Sequence, residues 1–241
     1  MARTSPSPRA LELARKRRSA WESFLDFVER HQTSHWIFRG VADAEHHVLV
    51  PKVGRSVSHY NLSIERVIFA NFKRRARQFV VTSSLSEWDM LALAQHHGLP
   101  TRLLDWTTNP LVAAYFAVIS TPLEATARVY ALRAPRLIDT SKEPDPFAVS
   151  SLGAFIPSAV APRIVAQRGL FTIHPAPTHP VTPSISSRDQ FDIPNTERPF
   201  FEGKLFGFAV DTAVIKADLD GLCETLAWQF RRRVAVGAFN Y

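Results

Sequence analysis

The residues of this 241-residue chain with the most chemical capacity fall between Gln95 and Thr108. Within LALAQHHGLPTRLLDWTTNPLVAAYFA, Leu91 to Ala117, a Gln, two adjacent His, an Arg, an Asp and two Thr lie between two apolar segments. Gln95, His96 and His97 belong to the last turn of a predicted helix, whose negative end raises imidazole basicity. Neighbouring helical histidines diverge by about 100°, so the pair is poorly arranged to share a metal, and no metal is expected. Metal-dependent hydrolysis through His96 or His97 with Asp105 is the reading that chelators would test. Arg102 and Asp105 flank two leucines; on a strand they point to opposite faces, and each needs a partner from elsewhere in the fold. Asp105, Thr107 and Thr108 precede an apolar helix whose first amides suit an anion.

Arg39 forms a second chemical centre, at the end of the short aromatic strand HWIFRGV. Its guanidinium is a fixed fork of donors suited to a phosphate or a carboxylate ligand. The alternative is a structural arginine paired with a carboxylate such as Asp105. Gly40 follows, and its missing side chain lets backbone approach a ligand closely. The chain has no Walker motif, no GxGxxG, no HExxH and no GxSxG, which disfavours several common enzyme classes.

The elements that position these residues follow from periodicity and punctuation. Residues 1–18 read as a basic, disordered leader and 19–241 as one domain. Helical spacing runs from Leu11 to His31 with a potential break at Ser19. A long helix is predicted over Leu62–Val81, with Ile64, Val67, Ile68, Phe72 and Phe79 on its apolar face. Ser86 caps another helix that stops at Gly98. TRLLDW is a short strand, Thr107 or Asn109 caps the next helix, and LVAAYFAVI must be buried. ARVYAL reads as a strand, 134–162 as a proline-rich stretch of little periodicity, Arg163–Gln167 as a helical turn and Leu170–His174 as a strand. The segment 175–199 reads as a long surface loop, KLFGFAV as a strand and DLDGLCETLAWQF as a closing helix. Strands scattered among helices argue an α+β fold, a mixed central sheet of short strands flanked by helices.

Composition narrows the partners. Hydrophobic residues make up 46% of the chain, which excludes wholesale disorder, and 17 prolines against 9 glycines predict rigid connections. The net charge of +7 raises the expectation of an anionic partner. Basic runs stand at Arg15–Arg18, at Lys73, Arg74, Arg75 and Arg77, and at Arg231–Arg233; each is a potential phosphate-binding patch or a solvated helix face. A single cysteine, Cys223, excludes an intramolecular disulfide and is expected to be a buried or half-buried inert thiol. No run is long and apolar enough to span a membrane, and a soluble, cytoplasmic protein is expected.

WIFRG, LVPKVGR, the long central stretch, PRIVAQRGLFTIH and DLDGLCETL, in this order, resemble the FRG domain family, named for its Phe-Arg-Gly motif, over about Trp21 to Arg231. The resemblance implies a bacterial or phage protein with a role in defence or toxin systems. A more distant similarity links FRG and DWTTNPLVAAYFA to the ADP-ribosyltransferases of the Arg-Ser-Glu class, with QRGLF as the third element. This similarity implies an ADP-ribosyltransferase-like fold and a cleft for NAD or a related nucleotide lined by Arg39, Gly40, Asp105 and Thr107. Gln95, His96 and Arg102 would add further ligand contacts, and Asp105, Gln167 and His97 would carry the catalysis. Gly169 stands where that class has its catalytic Glu, so either another acid substitutes, Asp105 being nearest, or the fold binds a nucleotide without transferring it. The competing expectation is a non-enzymatic or nucleic-acid-binding module that uses the basic runs.

Overall fold

The computed structural model describes residues 7–158, 162–182 and 185–234. Ser7 accepts a hydrogen bond from the Ala10 amide and opens helix α1 (Pro8–Arg30), with Pro8 in the first turn, where its missing N–H costs nothing. The expected leader therefore gives way to helix at Pro8. A capped run of good helix formers carries α1 unbroken through Ser19, although its first turns are exposed. Trp21, Phe24 and Phe27, three residues apart, form its buried stripe.

Strand β1 (Trp36–Val41) follows, then α2 (Leu62–Ala76), which ends five residues earlier than Val81. The buried face of α2 is Glu65, Phe69 and Ala76, while Ile64, Val67 and Ile68 are exposed. The cause is Glu65: it accepts two hydrogen bonds from buried Arg102, at 3.0 and 2.6 Å, and this pair sets the rotation of the helix. A capping box between Ser86 and Asp89 starts α3 (Glu87–His96), and Gly98, at φ +88°, ends it. After β2 (Leu103–Thr107), Asn109 caps the apolar helix α4 (Pro110–Ile119).

Strands β3 (Ala127–Arg133) and β4 (Gly153–Phe155), helix α5 (Pro162–Ala166), strands β5 (Gly169–Ile173) and β6 (Gln190–Ile193), and helices α6 (Arg198–Gly207), α7 (Thr212–Lys216) and α8 (Leu219–Arg232) complete the fold. β4 and β6 arise in segments expected to be irregular, because three and four residues are too few to show a period of two. KLFGFAV, expected as a strand, is instead the end of α6 and the turn after it. Phe201 and Leu205 are buried four residues apart, which is helical spacing.

The fold is α+β. Its six strands run β4-β5-β2-β1-β3-β6, and every ladder between them is antiparallel. Residues paired across a ladder project to the same side. One face carries Phe38, Thr107, Asp105 and Leu103. Over β1 and β3 it is covered by α1, α4 and α6 through Phe24, Phe27, Ala113 and Phe201. Over β2, β5 and β4 it is covered by α2 and α3 through Phe69, Trp88 and Leu91. The opposite face, with Ile37, Leu104, Trp106 and Tyr130, is closed by Leu49, Val181 and Ile185 from connecting segments.

Candidate functional site

The two helical groups meet above the junction of β1 and β2. These strands share one paired position, Phe38 opposite Thr107, and diverge from there. The Arg39 side chain spans the gap: its Nη1 donates to the Asp105 backbone carbonyl at 2.5 Å and lies 3.5 Å from Asp105 Oδ2. A guanidinium thus satisfies a carbonyl that the broken ladder leaves open. The strand split opens a cleft of about 320 Å³ bounded by Arg39, Asp105, Thr107, Phe116, Arg163 and Gln167.

Among the described residues, Asp105 is the one carboxylate on this cleft, with 57% of its side chain exposed. Its orientation is fixed from behind. Gln95 Nε2 donates to Asp105 Oδ2 at 3.2 Å, and Thr101 Oγ1 donates to Gln95 Oε1 at 2.7 Å, which settles which end of the amide faces the carboxylate. His96 stands near the same carboxylate. Its imidazole pKa is lowered by burial first and then by His97 and Arg163, with Asp105 opposing, so the neutral ring is favoured. Burial also lowers the Arg39 pKa against the pull of Asp105, while nearby Arg55 lowers it further.

Thr107 serves the frame. Its hydroxyl donates to the Gln167 carbonyl at 2.7 Å and accepts from the Asn109 amide at 3.0 Å, tying β2 to the turn after α5 and to the start of α4. Gln167 lines the cleft, and its amide donates to the Ile215 carbonyl of α7. Gly169 pairs with Thr107, and a Cβ there would lie 3.3 Å from the Ile164 carbonyl, so close packing against α5 favours glycine at this position.

Arg39, Gly40, Asp105, Thr107 and Gln167 therefore come together from three separate stretches of chain, with Gln95 and His96 one layer behind. Arg102 does not join them. It is 1% exposed, at the bend just before β2, and bound to Glu65 of α2 and to the Tyr60 hydroxyl. His97 caps α3 on the exposed side, its ring edge-on to His96 and off the cleft lining. Gly40 has a different reason from the one its position suggests. A Cβ there would collide with the Ala113 carbonyl and lie 2.7 Å from the Ala117 nitrogen, so the glycine admits α4 against β1.

Sequence reasoning missed Arg163 and Phe116 on the cleft, and His174 beneath it. Arg163 lies in PRIVAQRG, where a five-residue helix gives no periodic signal. His174 is buried, hydrogen-bonded to Thr172, which in turn accepts from Trp106 Nε1. Burial, followed by the charge of Arg39, pushes its pKa down to about 4. Cys223 is exposed on α8, contrary to expectation, because α8 packs on α7 through Gly221 and Thr225 and leaves its apolar stripe open. Among the described residues, no three His, Cys, Asp or Glu side chains converge as metal ligands, and no helix is long and apolar enough to cross a membrane. Part of the basic excess is neutralised locally: Lys73 binds both Glu87 oxygens, and Arg232 binds Glu202.

No curated protein and no solved structure matches the chain. Residues 34–125, from just before β1 to just before β3, match the family model described as FRG domain. The chain thus carries an FRG domain, and that segment supplies Arg39, Asp105 and Thr107 to the cleft.

Proposed function

We propose that the cleft binds NAD or a related nucleotide and that the chain is an ADP-ribosyltransferase-like or NAD-consuming effector of a bacterial or phage defence or toxin system. The observation that carries this reading is the meeting of Arg39, Asp105 and Gln167 on one cleft at a split between two strands. Arg39 supplies a charged fork for a phosphate. Asp105, oriented by Gln95 and more than half exposed, takes the role for which Gly169 has no side chain. As the bond from ribose to nicotinamide breaks, the ribose carbon gains positive charge and a carboxylate beside it lowers that barrier. The acceptor then adds at that carbon and gives up its proton.

Calorimetric titration with NAD tests the binding step. The wild type should bind, Arg39→Ala should bind at least about tenfold more weakly, and Asp105→Ala should bind but not consume NAD. No binding by the wild type, or equal binding by Arg39→Ala, removes this reading. Expression in bacteria followed by mass spectrometry for NAD loss and modified macromolecules tests turnover. A second reading, a nucleic-acid-binding module, draws on Arg75 and Arg77, which are exposed and outside carboxylate reach among the described residues. It requires salt-sensitive DNA or RNA binding that charge reversal at Arg74, Arg75 and Arg77 abolishes and Asp105→Ala leaves intact.

A further inference from the structure

A second and larger cavity, about 640 Å³, adjoins the first at the end of β1, between that strand and the segment 46–57. The two share Arg39, Gly40 and Ser120. Their charge differs. The first sets Arg39 and Arg163 against Asp105, whereas the second is lined by Arg39, Arg55, His46 and His47 and, among the described residues, by no carboxylate. Of the two acids just before His46 in the chain, Asp43 is engaged by the His46 ring and by the amides of Glu45 and His46, and Glu45 is exposed and off the cavity lining.

Arg55 belongs to LVPKVGR, whose residues have no part in the cleft. Its backbone is pinned, because buried Gly54 packs where a Cβ would strike the Pro177 carbonyl. Its side chain makes one long bond, Nε to the Val50 carbonyl at 3.4 Å, and no carboxylate among the described residues lies within ion-pair distance. Two guanidiniums thus line one cavity, and the carboxylate within ion-pair distance of Arg39, Asp105 at 3.5 Å, belongs to the first cleft and not to this one. The Arg39 pKa is lowered by burial first, and Arg55 across the cavity lowers it further. An anion between them relieves that repulsion, and paired guanidinium forks suit phosphate oxygens.

We infer that this second cavity is a phosphate subsite in which Arg55 and Arg39 hold a diphosphate, so that the ligand of the combined cleft is a diphosphate ester straddling the end of β1. This assignment rests on the nucleotide reading for the identity of the ester, and on the cavity and its arginines for the phosphate. Arg55 is exposed, so its replacement leaves the fold in place.

Inorganic pyrophosphate, titrated at low salt into the full chain, is the direct probe. It should bind the wild type, bind Arg55→Ala at least about tenfold more weakly, and bind Asp105→Ala no worse than wild type. Arg55→Lys should recover only part of the loss, since an ammonium lacks the fork. Absence of pyrophosphate binding by the wild type, or binding that Arg55→Ala leaves unchanged, overturns the subsite. Nicotinamide mononucleotide and NAD compared on Arg55→Ala separate the sources of the phosphate. A loss confined to NAD supports a bridging diphosphate, and equal losses overturn it. If pyrophosphate binds through Arg55 but NAD does not bind at all, the nucleotide reading falls and the phosphate subsite stands; if NAD binds and Arg55→Ala is neutral, the reverse holds.

Discussion

His174 couples the buried layer to the cleft. The folded protein holds its imidazole neutral, with the pKa down at about 4 from an ordinary 6.5, by burial first and by Arg39 second. The unfolded chain protonates more readily, so the stability from the neutral ring is complete above about pH 6.5 and is lost as pH falls toward about 4. Urea unfolding between pH 7.5 and 4.5 should show a decline on the order of 3 kcal/mol from this group, and His174→Gln should flatten it. An unchanged slope in the variant would assign the decline to other residues. Arg102 makes the opposite kind of contribution. Replacing it by Met strands the Glu65 carboxylate in the interior and should cost about 3–5 kcal/mol by denaturant unfolding, whereas the Glu65→Gln, Arg102→Met double variant should lose clearly less. Spacing showed that Arg102 and Asp105 are no local ion pair but left both as candidates for the cleft; the structure commits Arg102 to Glu65, on a helix whose buried side the hydrophobic pattern misassigned.

At the scale of elements, the cleft exists because β1 and β2 part after one paired position and because α4 lies directly on β1. Gly40 permits the second condition. Gly40→Ala would drive a methyl group into the Ala113 carbonyl, a backbone group that cannot rotate aside. A loss of about 1–3 kcal/mol in thermal or urea unfolding is expected, together with weaker ligand binding as α4 is displaced. Full retention of stability would show that the glycine is there for ligand approach after all. α8 shows the limit of amphipathicity as a guide. Leu219, Leu222, Leu226 and Phe230 follow helical spacing, yet all four are exposed, because α8 meets α7 through Gly221, Glu224 and Thr225 instead.

At the scale of the molecule, the matched segment 34–125 and the folding unit are different things. β1 pairs over six positions with β3, which begins at Ala127, and β2 pairs over five with β5, which begins at Gly169. Arg198, at the start of α6, is 3% exposed and donates to carbonyls of Ala42, Ala117, Val118, Ser120, Pro122 and Ala125. The C-terminal half thus caps the end of α4 and the turn that follows it. A fragment of residues 34–125 exposes two strand edges and the face of β1 and should show no cooperative unfolding transition by circular dichroism, whereas residues 7–234 should show one. A cooperative transition in the short fragment would mean that β3 and β5 are dispensable.

The sequence by itself determined the cap at Ser86 and the stop at Gly98, a buried helix capped by Thr107 or Asn109, the α+β class and the residues Arg39, Asp105 and Gln167 worth following. These depend on local chemistry: a side-chain oxygen within three residues, a left-handed position, an apolar run, a charged group at the end of a strand. Tertiary structure alone decided that Arg39 bridges a split between strands and that Asp105 is the carboxylate of the cleft. It also decided that Thr107 and Gly40 serve packing and that Arg55 shares a cavity with Arg39. Those outcomes depend on strand order, on the rotation of α2 and on contacts between segments tens of residues apart, none of which leaves a periodic trace in the chain.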